Sequence, residues 1–315
     1  MKLIIQIPCY NEEKTLPLTY IDLPKKIDGI VEIETLIIND GSTDRTIDIA
    51  KELGITHIVD FKRNKGLAAA FEAGIHKCLE LGADIIVNTD GDNQYYGGDI
   101  SKLVKPIVEE TADVVVGDRQ TADIKHFSAS KKLLQKLGSR AVRRLSGTNI
   151  NDAVSGFRAY SRESAMKINI LTEFSYTIEN LIQLGHLKER IISVPVKTNK
   201  KLRKSRLFKN IPSFIVAQLT TIIRAYSNYK ALRFFTFFGM LLILPGIVGF
   251  VRFLYYFFTE GGEGHIQSLV FSTAFLNIGF FIIFIGIVAN LIGINRKLSE
   301  KILQFLKEDK WEKKK

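Results

Sequence analysis

Two carboxylates separated by one small residue are the groups best suited to chemistry in this 315-residue chain: Asp90 and Asp92, within Val87-Asn88-Thr89-Asp90-Gly91-Asp92-Asn93-Gln94-Tyr95. The run Asp84–Asn88 before them reads as a buried strand. Alternate residues of a strand share a face, so the two carboxylates can converge on one point if the chain stays extended. Carboxylates that close raise one another's pKa unless a cation lies between them. A hard divalent ion, Mg²⁺ or Mn²⁺, takes one or two protein carboxylates and completes its shell with substrate phosphates. An isolated Asp-x-Asp is more often a solvated turn. The strand before this one, and the motifs at other strand ends, favour the chemical reading.

The elements that must position the pair follow from the apolar runs. Leu3–Ile7, Ile33–Ile38, Ile55–Val59, Asp84–Asn88 and Asp113–Val116 alternate with helical patterns, which predicts a mostly parallel sheet covered on both faces. In such sheets the ligand crevice lies outside the carboxyl ends of the strands. The first strand runs into Pro8-Cys9-Tyr10-Asn11-Glu12-Glu13, the second into Asn39-Asp40-Gly41-Ser42-Thr43-Asp44, and the third into Asn64-Lys65-Gly66. Thr43 is the expected cap of a helix whose inner face is Ile47, Ala50 and Leu53 and whose stop is Gly54. Each motif taken singly is a turn, a cap or a site of close helix packing. Four of them in order at four strand ends form one constellation.

That ordered set resembles family 2 inverting glycosyltransferases with a GT-A (Rossmann-like) fold, and within them the dolichyl-phosphate mannose synthase-like, polyprenyl-phosphate glycosyltransferases. Gly117-Asp118-Arg119, Asp152-Ala153-Val154-Ser155-Gly156-Phe157-Arg158-Ala159-Tyr160, Val194-Pro195-Val196 and Ser205-Arg206-Leu207 carry the narrower match, over roughly residues 1 to 210. The resemblance implies that Pro8, Tyr10, Asn11, Glu12, Asp40 and Lys65 surround a nucleotide-sugar. It implies that Asp90, Asp92 and Gln94 hold Mg²⁺ or Mn²⁺ against the diphosphate, and that Arg119, Lys132 and Arg206 meet phosphates of donor or acceptor. Asp152 and Glu179 fall where relatives place acids near the reacting sugar or acceptor, although a cap or loop role for Asp152 stays open. The synthases commonly read Asp-Ala-Asp-Leu-Gln at the metal motif and Asp-Pro-Thr before Ser-Gly-Phe. Gly91, Asn93 and Asp152-Ala153-Val154 depart from that pattern without removing a ligand.

A net charge of +11 points to anionic partners. The two cysteines, Cys9 and Cys78, have neither zinc-like nor redox spacing, and their scarcity fits a reducing compartment. The short run Leu3–Ile7 meets Pro8 at once and reads as a strand, not a signal peptide. Lys125, Lys131, Lys132, Lys136, Arg140, Arg143 and Arg144 give one stretch a basic face, read either as solvated or as lipid-attracting.

Residues 197–233 contain ten basic residues and no acidic one, and Ile211, Phe214, Ile215, Ile222, Ile223 and Tyr226 form a helical stripe within them. This predicts a helix lying in the membrane interface. Two apolar runs follow, about 234–258, free of charge except for Arg252, which would snorkel, and 267–294, free of charge, each long enough to cross a bilayer core of roughly 20 residues. The link between them carries Glu260 and Glu263, whereas Lys and Arg flank the outer ends, which puts both termini on the cytoplasmic side. Pro245-Gly246 is the expected kink. The predicted organisation is a GT-A domain at 1–209, an interfacial amphipathic helix at 210–232, two transmembrane helices within 233–294 and a basic cytoplasmic tail at 295–315. Phe, Tyr and Gly usage in the spans is compatible with a homo-oligomer.

The leading expectation is transfer of one hexose from a UDP- or GDP-linked sugar to a polyprenyl phosphate, undecaprenyl or dolichyl, at a cell or ER-type membrane. A lipid phosphate is already anionic near neutral pH, its second pKa being about 6, so it needs positioning by Arg and Lys more than a base. A lipid hydroxyl or growing glycan as acceptor would need a base instead, Asp152 or Glu179. Trp311 is the lone tryptophan and lies in the tail, which counts against the Gln-x-x-Arg-Trp motif of processive synthases. A non-catalytic scaffold binding nucleotide-sugar or lipid is the reading from a different class, and the intact Asp90, Asp92 and Gln94 set argues against it. Nucleic acid is not the expected partner, because the charge gathers beside the spans.

Overall fold

Strand β1 (Lys2–Cys9) is buried along nearly its whole length because it sits between two parallel neighbours, β2 (Glu32–Asn39) and β4 (Ile85–Asn88). In the computed structural model residues 1–120, 142–143, 146–170, 176–200, 220, 230–261 and 265–312 are described. β3 (His57–Asp60), β5 (Val114–Asp118), β6 (Arg158–Ser161) and β7 (Ile191–Pro195) complete a seven-stranded sheet of order β3-β2-β1-β4-β6-β5-β7. All neighbours are parallel except β6, which runs antiparallel to both β4 and β5.

Alternation along β1 divides its side chains between two layers. Leu3, Ile5 and Ile7 pack with Leu16 of α1 (Leu16–Ile21), Ala50 of α2 (Thr46–Glu52) and Ile100, Leu103 and Val104 of α4 (Ile100–Val108). Ile4 packs on the other side with Phe71, Ile75 and Leu79 of α3 (Leu67–Glu80), Ala165 of α5 (Arg162–Met166) and Tyr176 and Leu184 of α6 (Tyr176–His186). Each of the Leu, Ile, Val and Phe side chains fully withdrawn from water contributes about 1.5–3 kcal/mol before entropy is counted. α3 lies unusually close to the sheet at Gly74, where a Cβ would fall 2.4 Å from Gln6 Oε1 and 2.8 Å from Ile38 Cδ1.

The five expected strands are present, with two local differences. Ile55 is not in β3: its N–H bonds to Ala50 O, and its buried side chain seals the end of α2. Thr43 does not cap α2; its backbone N–H and hydroxyl turn to Asn11 Oδ1, and Asp44 Oδ1 accepts from the backbone N–H of Thr46 instead. β6 and β7 lie outside those five: β6 opens on a charged residue and has no apolar run, and β7 is a half-buried edge strand ending at Pro195.

Two compact units divide the chain: Met1–Ile222 with Leu303–Lys315, and Ile223–Ile302. In the second, α7 (Ala231–Glu260) and the first part of α8 (Ile266–Glu312) are both long and apolar enough to cross a membrane. α7 runs through Pro245. The two helices meet at small residues: a Cβ on Gly239 or Gly279 would lie 2.8 Å from the other's carbonyl oxygen, and one on Gly249 would lie 2.4 Å from Ser272 Oγ. Such close backbone approach is what holds helices together where lipid removes the hydrophobic driving force. Phe237, Leu244, Val248, Phe271, Ile278 and Phe281 are exposed on their outer faces. In the first unit the last turns of α8 are anchored by Lys307, whose Nζ donates to Ile168 O and Asn169 Oδ1, each at 2.9 Å.

Candidate active site

The loops at the carboxyl ends of β1, β2 and β3 are stitched together by the polar residues of their motifs. Asn11 (φ 56°) accepts at Oδ1 from the N–H of Thr43 at 2.7 Å and donates its own N–H to Ser42 Oγ at 2.9 Å. The Glu12 N–H donates to Thr46 Oγ1 at 2.8 Å, and its buried carboxylate accepts from Thr15 Oγ1 at 2.6 Å. Asp40 uses both oxygens on the N-terminus of α3, accepting the N–H of Lys65 at 2.7 Å and of Gly66 at 3.0 Å. Burial raises the Asp40 pKa, against the two amide bonds and Lys65, which act to lower it. Gly41 (φ +69°) rests on the Arg63–Asn64 backbone, where a Cβ would lie within 2.4–2.8 Å of main-chain atoms. Lys65 Nζ stands 4.3 Å over the ring of Phe61, and Tyr10 is exposed.

β4 delivers the carboxylate pair by a turn, not by the extended chain the alternation argument assumes. The chain folds at Gly91–Asp92, and Asn93 takes a positive φ of 55°. Asp92 Oδ2 accepts from Gln94 Nε2 at 2.6 Å and Oδ1 accepts the Gln94 N–H at 3.2 Å, so Gln94 orients Asp92 directly. Thr19 Oγ1 donates to Gly91 O at 3.2 Å and ties the turn to α1. Both carboxylates act on one enclosed group, the Cys9 thiol: burial pushes it well above its ordinary value, and Glu12, Asp44, Asp90 and Asp92 push it further. Among the described residues no group of three or more His, Cys, Asp or Glu is placed to hold a metal ion. Two carboxylates backed by an amide are a donor set that leaves most of a Mg²⁺ or Mn²⁺ shell to phosphate and water, which is how such ions are usually held beside nucleotides.

Arg119, one residue past β5, closes the other side. Its Nε donates to Asp152 Oδ2 at 2.6 Å and its second terminal nitrogen to Oδ1 at 2.8 Å, a bidentate pair in which the carboxylate is 1% exposed. Burial alone would lower the Arg119 pKa, but Tyr95, Asp152 and Asp90 more than reverse it. The Tyr95 ring stacks on Phe157 at 4.9 Å and 18°, and the Arg119 guanidinium lies 6.0 Å from its centroid. The Tyr95 hydroxyl accepts the Gly156 N–H at 3.1 Å, and burial pushes its pKa up to about 12. Asp152 and Arg119 are thus brought together, alongside the segment that carries Gly156.

The glycosyl transferase family 2 model matches residues 4–168, which contain every loop described above. The chain belongs to glycosyl transferase family 2. It is 28% identical over 231 residues to an undecaprenyl-phosphate mannosyltransferase of Micrococcus luteus, covering 70% of this chain and 93% of that one. It is 33% identical over 217 residues to a UDP-N-acetylglucosamine–dolichyl-phosphate N-acetylglucosaminyltransferase of Methanococcus voltae, covering 61% and 83%. These relatives place it in the polyprenyl-phosphate group of the family. Glucosyl-3-phosphoglycerate synthase from Mycobacterium tuberculosis, solved with Mn²⁺, UDP and glucosyl-3-phosphoglycerate, superposes with a TM-score of 0.55 at 18% identity, covering 72% of this chain and 78% of that one. That likeness shows the GT-A fold.

Within this family 2 domain some residues matter that the sequence did not single out. Arg158 is fully buried and donates to three carbonyls, Ser155 O at 2.8 Å, Thr177 O at 2.8 Å and Ala153 O at 2.9 Å, fixing the Asp152–Phe157 loop against the start of α6. Its one signal is an arginine inside a segment of strand-forming residues. Asn88 and Tyr176 are buried beside Gly156. Glu179 is buried in the first turn of α6. Lys132, Arg206, most of the basic stretch and nearly all of the expected interfacial helix lie outside the described residues.

Proposed function

We propose that this glycosyltransferase moves one hexosyl unit, with inversion, from a UDP- or GDP-linked sugar to a polyprenyl phosphate at the cytoplasmic face of a membrane. The observation that carries the reading is that Asp90 and Asp92 follow the carboxyl end of β4, and the Arg119–Asp152 pair lies past the carboxyl end of β5, with only β6 between the two strands. A divalent ion, Mg²⁺ or Mn²⁺, held by Asp90 and Asp92 with Gln94 behind them, would supply Lewis-acid charge to the departing nucleoside diphosphate. Pro8, Tyr10, Asn11, Glu12, Asp40 and Lys65 line the loops that would take the nucleotide. Asp40 fixes the Lys65–Gly66 amides, and Asn11 fixes the second loop, so the pocket wall is preorganised before substrate arrives.

Arg119, with Lys132 and Arg206 as further candidates, would meet phosphate. Asp152 holds Arg119 in place through two bonds, a positioning role that leaves it ill-suited to accept a substrate proton. An acceptor that already carries negative charge needs no such base, whereas a hydroxyl acceptor does. The relatives' named acceptors, undecaprenyl and dolichyl phosphate, agree with this preference. The two apolar helices would anchor the enzyme where a bilayer-dissolved acceptor and a water-soluble donor meet, with the catalytic domain and both termini cytoplasmic. We retain the expected boundaries: a catalytic domain at 1–209, an interfacial helix at 210–232, spans near 234–258 and 267–294, and a tail from 295.

The test is a panel of radiolabelled nucleotide-sugars given to purified protein with undecaprenyl or dolichyl phosphate, following label into the organic phase. One donor should transfer label in Mg²⁺ or Mn²⁺ and fail in chelator, and Asp92→Ala should abolish transfer while the protein stays in the membrane fraction. Undiminished transfer in chelator would remove the metal from the reading; label passing only to a hydroxyl lipid would replace the acceptor.

A further inference from the structure

Asn88 ends β4 on the sheet face covered by α3, among apolar neighbours. Its amide is fully engaged: Oδ1 accepts from Gln6 Nε2 at 2.9 Å, and Nδ2 donates to Gly156 O at 2.8 Å and to the Tyr176 hydroxyl oxygen at 3.1 Å. In that last bond Tyr176 is the acceptor, so its own proton must be directed elsewhere. The ring is 2% exposed and stacks on Phe71 at 4.1 Å and 16°, which keeps bulk water from receiving it. Gly156 lies between the phenol and one carboxylate. A Cβ built there would lie 3.0 Å from the Tyr176 hydroxyl and 3.3 and 3.6 Å from the two oxygens of Asp90. The phenol and the carboxylate therefore border the same small space, one that glycine leaves open. Burial holds the phenol protonated far above its usual range, and Asp90 is the charge that adds most to this.

We propose that Tyr176 is a positioning residue for Asp90: its phenol, oriented by Asn88, donates to one carboxylate oxygen and leaves the other turned to the cation. This rests on Asp90 being a metal ligand. A hydroxyl bonded to a carboxylate is among the stronger hydrogen bonds. Outer partners of this kind typically change metal affinity about 10–100-fold when removed. The Gln6–Asn88–Tyr176 chain would thus connect the centre of the sheet to the ligand that opens the metal motif.

The experiment is a titration of the purified full-length protein with Mn²⁺ alone, read by electron paramagnetic resonance. Tyr176→Phe should raise the Mn²⁺ dissociation constant about 10–100-fold, and excess Mn²⁺ should restore transfer with little change in acceptor KM. Tyr160→Phe removes a hydroxyl from the same aromatic cluster, 6.0 Å from Phe71, and should leave Mn²⁺ binding as it was. Asn88→Ala removes the group that orients the phenol and should weaken Mn²⁺ in the same direction, which keeps the test open if Tyr176→Phe does not fold. Unchanged affinity in Tyr176→Phe, or in Asn88→Ala where that is the variant available, overturns the proposal. So does an equal loss in Tyr160→Phe, or a loss confined to Tyr95→Phe. Asp92→Ala separates this from the parent reading: undiminished Mn²⁺ binding there would overturn the cation site itself and this inference with it.

Discussion

Gly91 separates the two carboxylates where the resembling synthases commonly carry alanine, and Gly91→Ala shows what that difference means for this chain. Its backbone does not lie in the left-handed region, so alanine is not excluded by conformation. The obstacle is space. A Cβ there would lie 2.9 Å from Cys9 Sγ, 3.3 Å from Pro8 O and 3.4 Å from Glu12 Cγ. Ordinary contacts of this kind are about 3.5–4 Å, so the thiol must retreat by roughly 0.6–1 Å. Cys9 closes β1, which is locked in register between β2 and β4, and its side chain is buried. Overpacking of this sort costs about 1–3 kcal/mol, and one methyl against one sulfur belongs in the lower part, about 1–2. For a unit of this size 1 kcal/mol moves Tm by about 2–4 °C, so Gly91→Ala should melt roughly 2–8 °C lower.

Cys9→Ala removes the sulfur and, combined with Gly91→Ala, lets the new methyl occupy part of its space. Thermal unfolding of the four proteins in one detergent at one scan rate gives the cycle. The double variant should be more stable than the sum of the single losses by about 1–2 kcal/mol, a coupling expected of side chains in contact. Mn²⁺ affinity should stay as it was in Gly91→Ala and in the double variant, because the thiol yields and the turn that carries Asp92 does not. Additive losses would refute the argument and mean that the turn moves away from β1 instead of the thiol yielding.

Two other perturbations follow from the charge pairs. Asp152→Ala leaves the Arg119 guanidinium without its bidentate partner, and since that side chain is 21% exposed the loss should be about 2–3 kcal/mol, below that of a fully buried pair; adding Arg119→Met should recover part of it in the same melting assay. Asp113 accepts from Arg190 at 2.6 and 3.0 Å, and that bonding lowers its pKa below the ordinary carboxylate value. A carboxyl depressed in the folded state contributes stability that is present above its unfolded pKa of about 3.9 and is lost as pH falls through the folded value. The Tm gap between wild type and Asp113→Asn should therefore be constant near neutral pH and close progressively below about pH 4; a gap that widens on acidification would contradict it.

Five of the six parallel strands were legible because they are apolar runs ending in turn residues, and the motifs mark where those runs stop; β7, half-buried at the sheet edge, was not. Nor was β6, since Arg158 stands where an apolar residue would announce a strand and is satisfied by carbonyls of the loop just before it and of Thr177. The candidate site residues were named by type and order, but their partners were not. Asp40 reads equally well as a ligand contact or a cap, and its bonds to Lys65 and Gly66 depend on how β3 sits beside β2. The pairing of Arg119 with Asp152 joins residues 33 apart across a sheet order no local pattern encodes. The turn at Gly91–Asp92 defeats strand periodicity for the same reason: its shape is set by Cys9, Thr19 and Gln94, not by alternation.

The Arg119–Asp152 pair also narrows the chemistry. A general base needs a lone pair facing the acceptor and a carboxylate free to take a proton. Asp152 is nearly inaccessible and gives one oxygen to each of two guanidinium nitrogens, with the Arg119 N–H at 3.4 Å as well. Taking up a substrate proton there would mean giving up one of the two bonds that hold Arg119 beside Tyr95. The same arrangement suits anion binding. Arg119 is held at a fixed angle by the carboxylate and by the Tyr95 ring, so an incoming phosphate meets a donor fork whose rotamer is already selected. An acceptor bringing its own negative charge uses what this side of the crevice offers, and a neutral hydroxyl does not.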